Sequence, residues 1–215
     1  MNTKQPKTAV FCYGRFNPPT AGHQKMINYG DIFAKEIGAN FYLFPSHTFT
    51  PNKCALENKN PLDLDTKLKF LRLFFPTINI ISNNPMTLFD ALDWLSTNGY
   101  RTVYMVTGSD RAIEFKEKIA PYIIGLNPNV NQDKAVDIDY FDVKIAGIRN
   151  DKSNNIDGVS GTKAREFAFN GQKRKFNSII PNGPKNIKDE LYNKVRIMLR
   201  NDNINGRTNQ RTARL

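Results

Sequence analysis

The chain has 215 residues, 40% of them hydrophobic and 24% charged, with 31 Lys+Arg against 20 Asp+Glu for a net charge of +11. That balance suits one globular domain with an appendage, and no apolar run approaches the ~20 residues needed to span a bilayer. The N-terminal MNTKQPK lacks the apolar core of a signal peptide, and two cysteines without a CxxC spacing, beside two histidines, argue against a zinc centre. The expectation is a cytoplasmic protein with anionic partners.

Taken in chain order, residues 7–13 (KTAVFCY) read as a buried strand ended by Gly14. Apolar positions Met26, Ile27, Ile32, Phe33 and Ile37 predict a helix stopping at Gly38, and residues 40–44 a second strand stopped by Pro45. Residues 63–75 read as a helix, 78–81 as a strand, 87–96 as a helix and 102–106 as a strand running into Gly108-Ser109-Asp110. A short helix at 112–119, a strand at 136–143 and helices at 162–169 and 188–199 complete the pattern. Alternating strands and helices predict an α/β, Rossmann-like, doubly wound parallel sheet of about five strands, with helices on both faces and a C-terminal helical extension. Residues 1–180 are expected to form the α/β domain and 181–215 a basic helix with a flexible tail.

The connection after the first strand, GRFNPPTAGH, is richer than a strand-to-helix turn requires. Gly14 lets a ligand approach the backbone closely, Pro18 and Pro19 stiffen the loop, and the following helix start offers free N–H groups and a positive dipole end to phosphate. Thr20 and His23, three residues apart, can share one face of that first turn and converge on an anion. The loop is neither a Walker A sequence nor the GxGxxG dinucleotide fingerprint.

The stretch resembles the signature of the HxGH-motif nucleotidyltransferase superfamily, roughly G-x-F-x-P-x-(H/T)-x-G-H, at Gly14, Phe16, Pro18, Thr20, Gly22 and His23. Residues 159–165 (VSGTKAR) resemble the family's second signature, ISSTxxR, and Gly108-Ser109-Asp110 resembles the G-x-D element of its nicotinamide-nucleotide branch. A D-T-L-x-x-L helix start of that branch is similar to residues 90–95 (DALDWL). Two positions depart from the pattern: Thr20 replaces the first histidine, and Gly161 stands where Ser or Thr is usual. Compact phage-encoded members have loops and second motifs similar to these.

The resemblance implies a nucleotidyltransferase, with nicotinamide-nucleotide adenylyltransferase as the leading activity: ATP and nicotinamide mononucleotide give NAD and pyrophosphate. It assigns catalysis to His23, Thr20, Lys163 and Arg165, and substrate binding to Gly14, Arg15, Phe16, Asn17, Gly22, Gly108, Asp110, Ser160 and Thr162. Mg²⁺ is expected on the nucleotide phosphates with no protein metal site. Cytidylyl transfer from CTP and phosphopantetheine-type adenylyl transfer are the enzymatic alternatives, and a non-catalytic nucleotide- or nucleic-acid-binding protein is the alternative of another class. Family members often form homo-oligomers.

Other residues carry simpler readings. Asp110 suits a helix N-cap as well as a ligand contact. Trp94 has the spacing of a core residue beside Leu88, Leu92 and Leu95, and Cys12 that of a small core hydrophobe. His47 and Lys53 read as solvated loop residues. Residues 163–175 carry five cations and one acid, and residues 185–215 eight cations and three acids, a charge that also suits contact with nucleic acid.

Overall fold

A computed structural model describes residues 7–51, 56–83, 87–127, 129–130, 135–147 and 159–200. Five strands, β1 (Lys7–Gly14), β2 (Asn40–Pro45), β3 (Asn79–Ile80), β4 (Tyr100–Thr107) and β5 (Tyr140–Ile145), form one parallel sheet in the order β3-β2-β1-β4-β5. The helices are α1 (Ala21–Glu36), α2 (Leu64–Phe74), α3 (Leu88–Thr97), α4 (Ala112–Ile119), α5 (Gly161–Phe169), α6 (Lys173–Ile179) and α7 (Lys185–Arg200). The chain winds outward from β1 through β2 to β3, then returns to β4 on the other side of β1. The reversal between β1 and β4 opens a crevice beyond their C-terminal ends, where doubly wound sheets bind ligands.

Strand β1 shows why the sheet is covered on both faces. Val10 and Cys12 point into one apolar layer, with Ile27, Leu43, Phe70, Leu71, Phe176 and Leu191. Ala9 and Phe11 point into the other, with Leu92, Leu95, Met105, Phe115 and Ile119. All four β1 side chains are fully buried, and burial of each large one contributes about 1.5–3 kcal/mol. Cys12 is a core residue, and burial pushes its thiol pKa up. Trp94 packs edge-on against Tyr42 and Phe44 at ring-centroid distances of 5.2 and 5.6 Å.

Two expectations shift. The fifth strand begins at Tyr140 rather than Val136, because Val136 is taken by an isolated bridge to Ile123, next to the 3₁₀ turn Ala120–Tyr122. Helix α6 was not anticipated: KRKFNSI buries Phe176 alone and shows no apolar stripe. Helix α7 places Leu191, Tyr192, Val195 and Leu199 in the same core layer as Ala164 and Ala168 of α5. Among the described residues no helix is long and apolar enough to cross a membrane. Lys53 and the C-terminal residues 201–215 lie outside the described residues.

Candidate active site

The crevice is a pocket of about 280 Å³. Its floor is the loop from β1 to α1. Gly14 ends β1 with the Phe16 ring folded back against it; a Cβ there would sit 3.2 Å from that ring. Phe16 adopts φ +46, a left-handed conformation that an L side chain holds only when its surroundings enforce it. The enforcement is burial: Phe16 is 0% exposed and its ring lies 4.9 Å from that of His23, centroid to centroid. The Asn17–Pro18 peptide bond is cis.

The side chain of Asn17 turns away to make a paired amide bond, donating from Nδ2 to Leu62 O at 3.0 Å and accepting Leu62 N–H at 2.9 Å. Its own carbonyl faces the other way and accepts from Arg165.

Helix α1 begins at the pocket with Thr20 as N-cap in a capping box. His23 is the reciprocal partner, its Nδ1 accepting the Thr20 N–H at 3.0 Å with the Thr20 hydroxyl 2.9 Å away. A nitrogen that accepts a backbone N–H carries no proton of its own, so the neutral ring bears its hydrogen on Nε2. Thr20 is 1% exposed, so it orients the histidine from beneath.

Helix α5 meets the same pocket from the far end of the chain. Ser160, the N-cap, accepts the Lys163 N–H at 3.2 Å. Arg165 is 5% exposed; Nη1 donates to Asn17 O at 2.9 Å, Nη2 to Thr162 Oγ1 at 3.0 Å, and buried Nε has no partner. Burial lowers its pKa to about 10, with Arg15 repelling it and Glu166 pulling the other way. At neutral pH the guanidinium stays charged. Arg15 is also lowered, by partial burial and then by repulsion from Arg111.

Gly161 acquires a reason here. A Cβ at that position would lie 3.2 Å from Arg165 Nη1 and 3.5 Å from Asn17 O. The missing side chain leaves the arginine room to reach the opening loop.

After β4, Gly108 and Asp110 line the third wall. A Cβ on Gly108 would stand 2.7 Å from Asp110 Oδ1, so glycine lets that carboxylate fold back. Arg111, not Asp110, is the N-cap residue of α4.

Every anticipated site residue lines the pocket except Lys163. Sequence reading missed Lys25, Lys59, Thr107, Arg111, Phe115 and Gly147, which also line it. Arg111 lies over the Phe115 ring at 5.7 Å, and Gly147, at φ +128, passes so close to Lys25 that a Cβ would stand 2.9 Å from its Nζ. Arg111 follows Gly108-Ser109-Asp110 directly, so a search extended by one residue would have found it. Lys25, Lys59 and Gly147 carry no local signal and meet only through the topology. Among the described lining residues, Arg15, Lys25, Lys59, Arg111 and Arg165 face the single carboxylate of Asp110.

No protein-family profile matches the chain, and no curated protein sequence matches it. Solved structures do. A candidate nicotinate-nucleotide adenylyltransferase from Vibrio parahaemolyticus superposes with a TM-score of 0.50 at 16% identity, over 86% of this chain and 98% of that one. Nicotinic acid mononucleotide adenylyltransferase from Plasmodium falciparum, complexed with NaAD, gives 0.55 at 13% identity over 89% and 97%; its complex with APC gives 0.53 at 15% over the same shares. The chain has the fold of the nicotinate-nucleotide adenylyltransferases.

Proposed function

We propose that the protein is an adenylyltransferase of NAD synthesis, which moves AMP from ATP to the phosphate of nicotinamide mononucleotide. The observation that carries this reading is Arg165, a guanidinium buried without an ion-paired carboxylate among the described residues, its Nε unpartnered. A buried cation of this kind is costly until an anion reaches it. Arg15 and Arg111 add to the same electrostatic demand. A triphosphate meets it.

In the proposed reaction an acceptor phosphate oxygen attacks the α-phosphorus in line. The bond from that phosphorus to the α,β-bridging oxygen breaks, and pyrophosphate leaves with the electron pair. The nucleophile is already ionised, so no general base is needed; positioning and charge stabilisation supply the rate. His23 donates from Nε2 to the phosphate chain at the start of α1, and Arg165 neutralises charge on the departing pyrophosphate. Thr20 fixes the tautomer that makes His23 a donor. Gly14 and Gly22 allow backbone approach, and Asp110 with Gly108 contacts the acceptor mononucleotide. Mg²⁺ bound to the nucleotide would supply further neutralisation. Its ligands in this reading are phosphate oxygens and water.

The test is formation of NAD and pyrophosphate from ATP, nicotinamide mononucleotide and Mg²⁺, with His23→Ala in parallel. Nicotinate mononucleotide and CTP are run as alternative acceptor and donor. Pyrophosphate release with a mononucleotide acceptor, lost in the variant, supports the reading. No release with any of these pairs overturns it.

A further inference from the structure

The motif resemblance assigns Asn17 to substrate binding, but its side chain is committed elsewhere. It is 3% exposed, and both halves of its amide meet the main chain of Leu62: Nδ2 donates to Leu62 O at 3.0 Å and Oδ1 accepts Leu62 N–H at 2.9 Å. An amide gripped through both its donor and its acceptor neither rotates nor flips. Residue 17 is therefore fixed by a segment 45 residues further along the chain.

That segment is itself tied down on both sides of Leu62. Before it, buried Asn58 donates from Nδ2 to Thr50 O at 2.8 Å, and Thr50 N–H donates to Asn60 O at 3.0 Å. After it, Asp63 caps α2 by accepting Thr66 N–H at 2.7 Å. On that helix the fully buried Lys67 donates to Ser46 O and Thr48 O, and Ser46 N–H in turn donates to Gly14 O at 2.8 Å. The opening loop is thus held at Gly14 and again at Asn17.

On its other side residue 17 offers its carbonyl to Arg165. Nη1 donates there at 2.9 Å and Nη2 donates to Thr162 Oγ1 at 3.0 Å, so bonds at two nitrogens set the plane of the guanidinium. Thr162 lies in the same helix as the arginine and moves with it. Of the two acceptors, only Asn17 O ties the charge to the opening loop.

We infer that Asn17 is a positioning residue for Arg165: the amide pair with Leu62 holds the residue-17 carbonyl in place, and that carbonyl sets the direction of the guanidinium lining the pocket. With the pair broken, the carbonyl is free to turn and Arg165 is tied only within its own helix. The charge remains but its direction is lost. This inference rests on the proposed adenylyl transfer only for what a misdirected arginine does to turnover.

The experiment breaks the pair in two ways. Asn17→Ala removes both bonds, whereas Asn17→Asp keeps the volume and, well above the ordinary carboxyl pKa, turns the donor to Leu62 O into an acceptor. The first readout is the nitrogen NMR spectrum of the arginine side chains without ligand, the Arg165 signals being identified by their loss in Arg165→Met. A guanidinium bonded at both terminal nitrogens turns slowly about its C–N bonds and shows separate Nη signals, which should merge in both Asn17 variants. The second readout is pyrophosphate release. Each variant should lose about tenfold to a hundredfold in kcat, the scale of a misplacement of about 1 Å. Combined with Arg165→Met, neither should lower kcat more than about twofold beyond Arg165→Met alone, whereas a merely structural Asn17 would give losses that multiply. The spectra need no turnover, so an inactive parent would defeat the proposed reaction and leave this inference to be decided by them. Unchanged Arg165 signals, multiplying losses, or failure of both Asn17 variants to fold would overturn it.

Discussion

Helices α1 and α5 approach the pocket by the same construction and put it to different uses. Each starts with a hydroxyl N-cap, Thr20 or Ser160, and carries a glycine in its first turn, Gly22 or Gly161. Each ties one basic side chain of the pocket lining into its own start, His23 or Arg165, and α1 adds Lys25 to that lining. In α1 the basic group is folded into the cap, so its second nitrogen is fixed as a donor. In α5 the cap is closed by Ser160 and the Lys163 N–H, which leaves Arg165 to bond Thr162 within the helix and to reach out of it to Asn17. One helix supplies a directed hydrogen bond; the other supplies a desolvated permanent charge. On the proposed reading, similar helix starts divide the binding of one polyanion between geometry and charge.

The widest break in this comparison should come from Arg165→Met, which removes the buried charge and the tie to Asn17. Turnover should fall by about 10³, the scale of losing a preorganised transition-state donor, as measured by pyrophosphate release at saturating substrates. His23→Ala should cost about 10²–10³ in kcat with ATP binding weakened less, separable by equilibrium titration of the nucleotide. Gly161→Ala sharpens the contrast, because its methyl would stand 3.2 Å from Arg165 Nη1 and disturb that arginine and its bond to Asn17 while leaving the His23 cap in place. An activity loss of about tenfold, with melting temperature little changed, is the expected result.

Thr20→Val disturbs only α1. Loss of the cap should cost about 1 kcal/mol of stability in thermal unfolding, and loss of the hydroxyl beside Nδ1, with the backbone N–H of residue 20 still fixing the tautomer, should loosen the His23 ring and lower kcat several-fold. The smallest effect is expected for Lys163→Ala, since half-buried Lys163 does not line the pocket: less than about threefold in kcat/KM, in the range typical of a solvent-screened charge. A large loss there would show that the second helix start uses more than one cation.

Much of this was legible in the sequence because the opening loop concentrates its signal. Glycine, two prolines, a hydroxyl and a histidine fall at fixed positions within ten residues, and each constrains the backbone locally. The order of strands and helices was legible for a similar reason, since apolar runs and glycine stops act over short range. The Val136–Ile138 stretch misled because β-branched alternation reports burial, and here the burial is against the turn near Ile123 rather than in the sheet. Lys67 was illegible. KLKFLRLFF reads as an amphipathic helix with its lysines outward, and only the position of two carbonyls from another loop explains why one lysine points inward. The role of Gly161 was equally hidden, because the atoms it makes room for belong to Arg165 and to a loop far away in the chain.

The bond from Arg165 to Asn17 O spans 148 residues. A chain emerging from the ribosome would complete its opening loop, and the helix start that follows it, long before the arginine that braces them has been made. On the proposed reading the pocket would acquire its full grip on phosphate only late in synthesis, once α5 docks, and a growing chain would have little means of sequestering nucleotide before it could act on one.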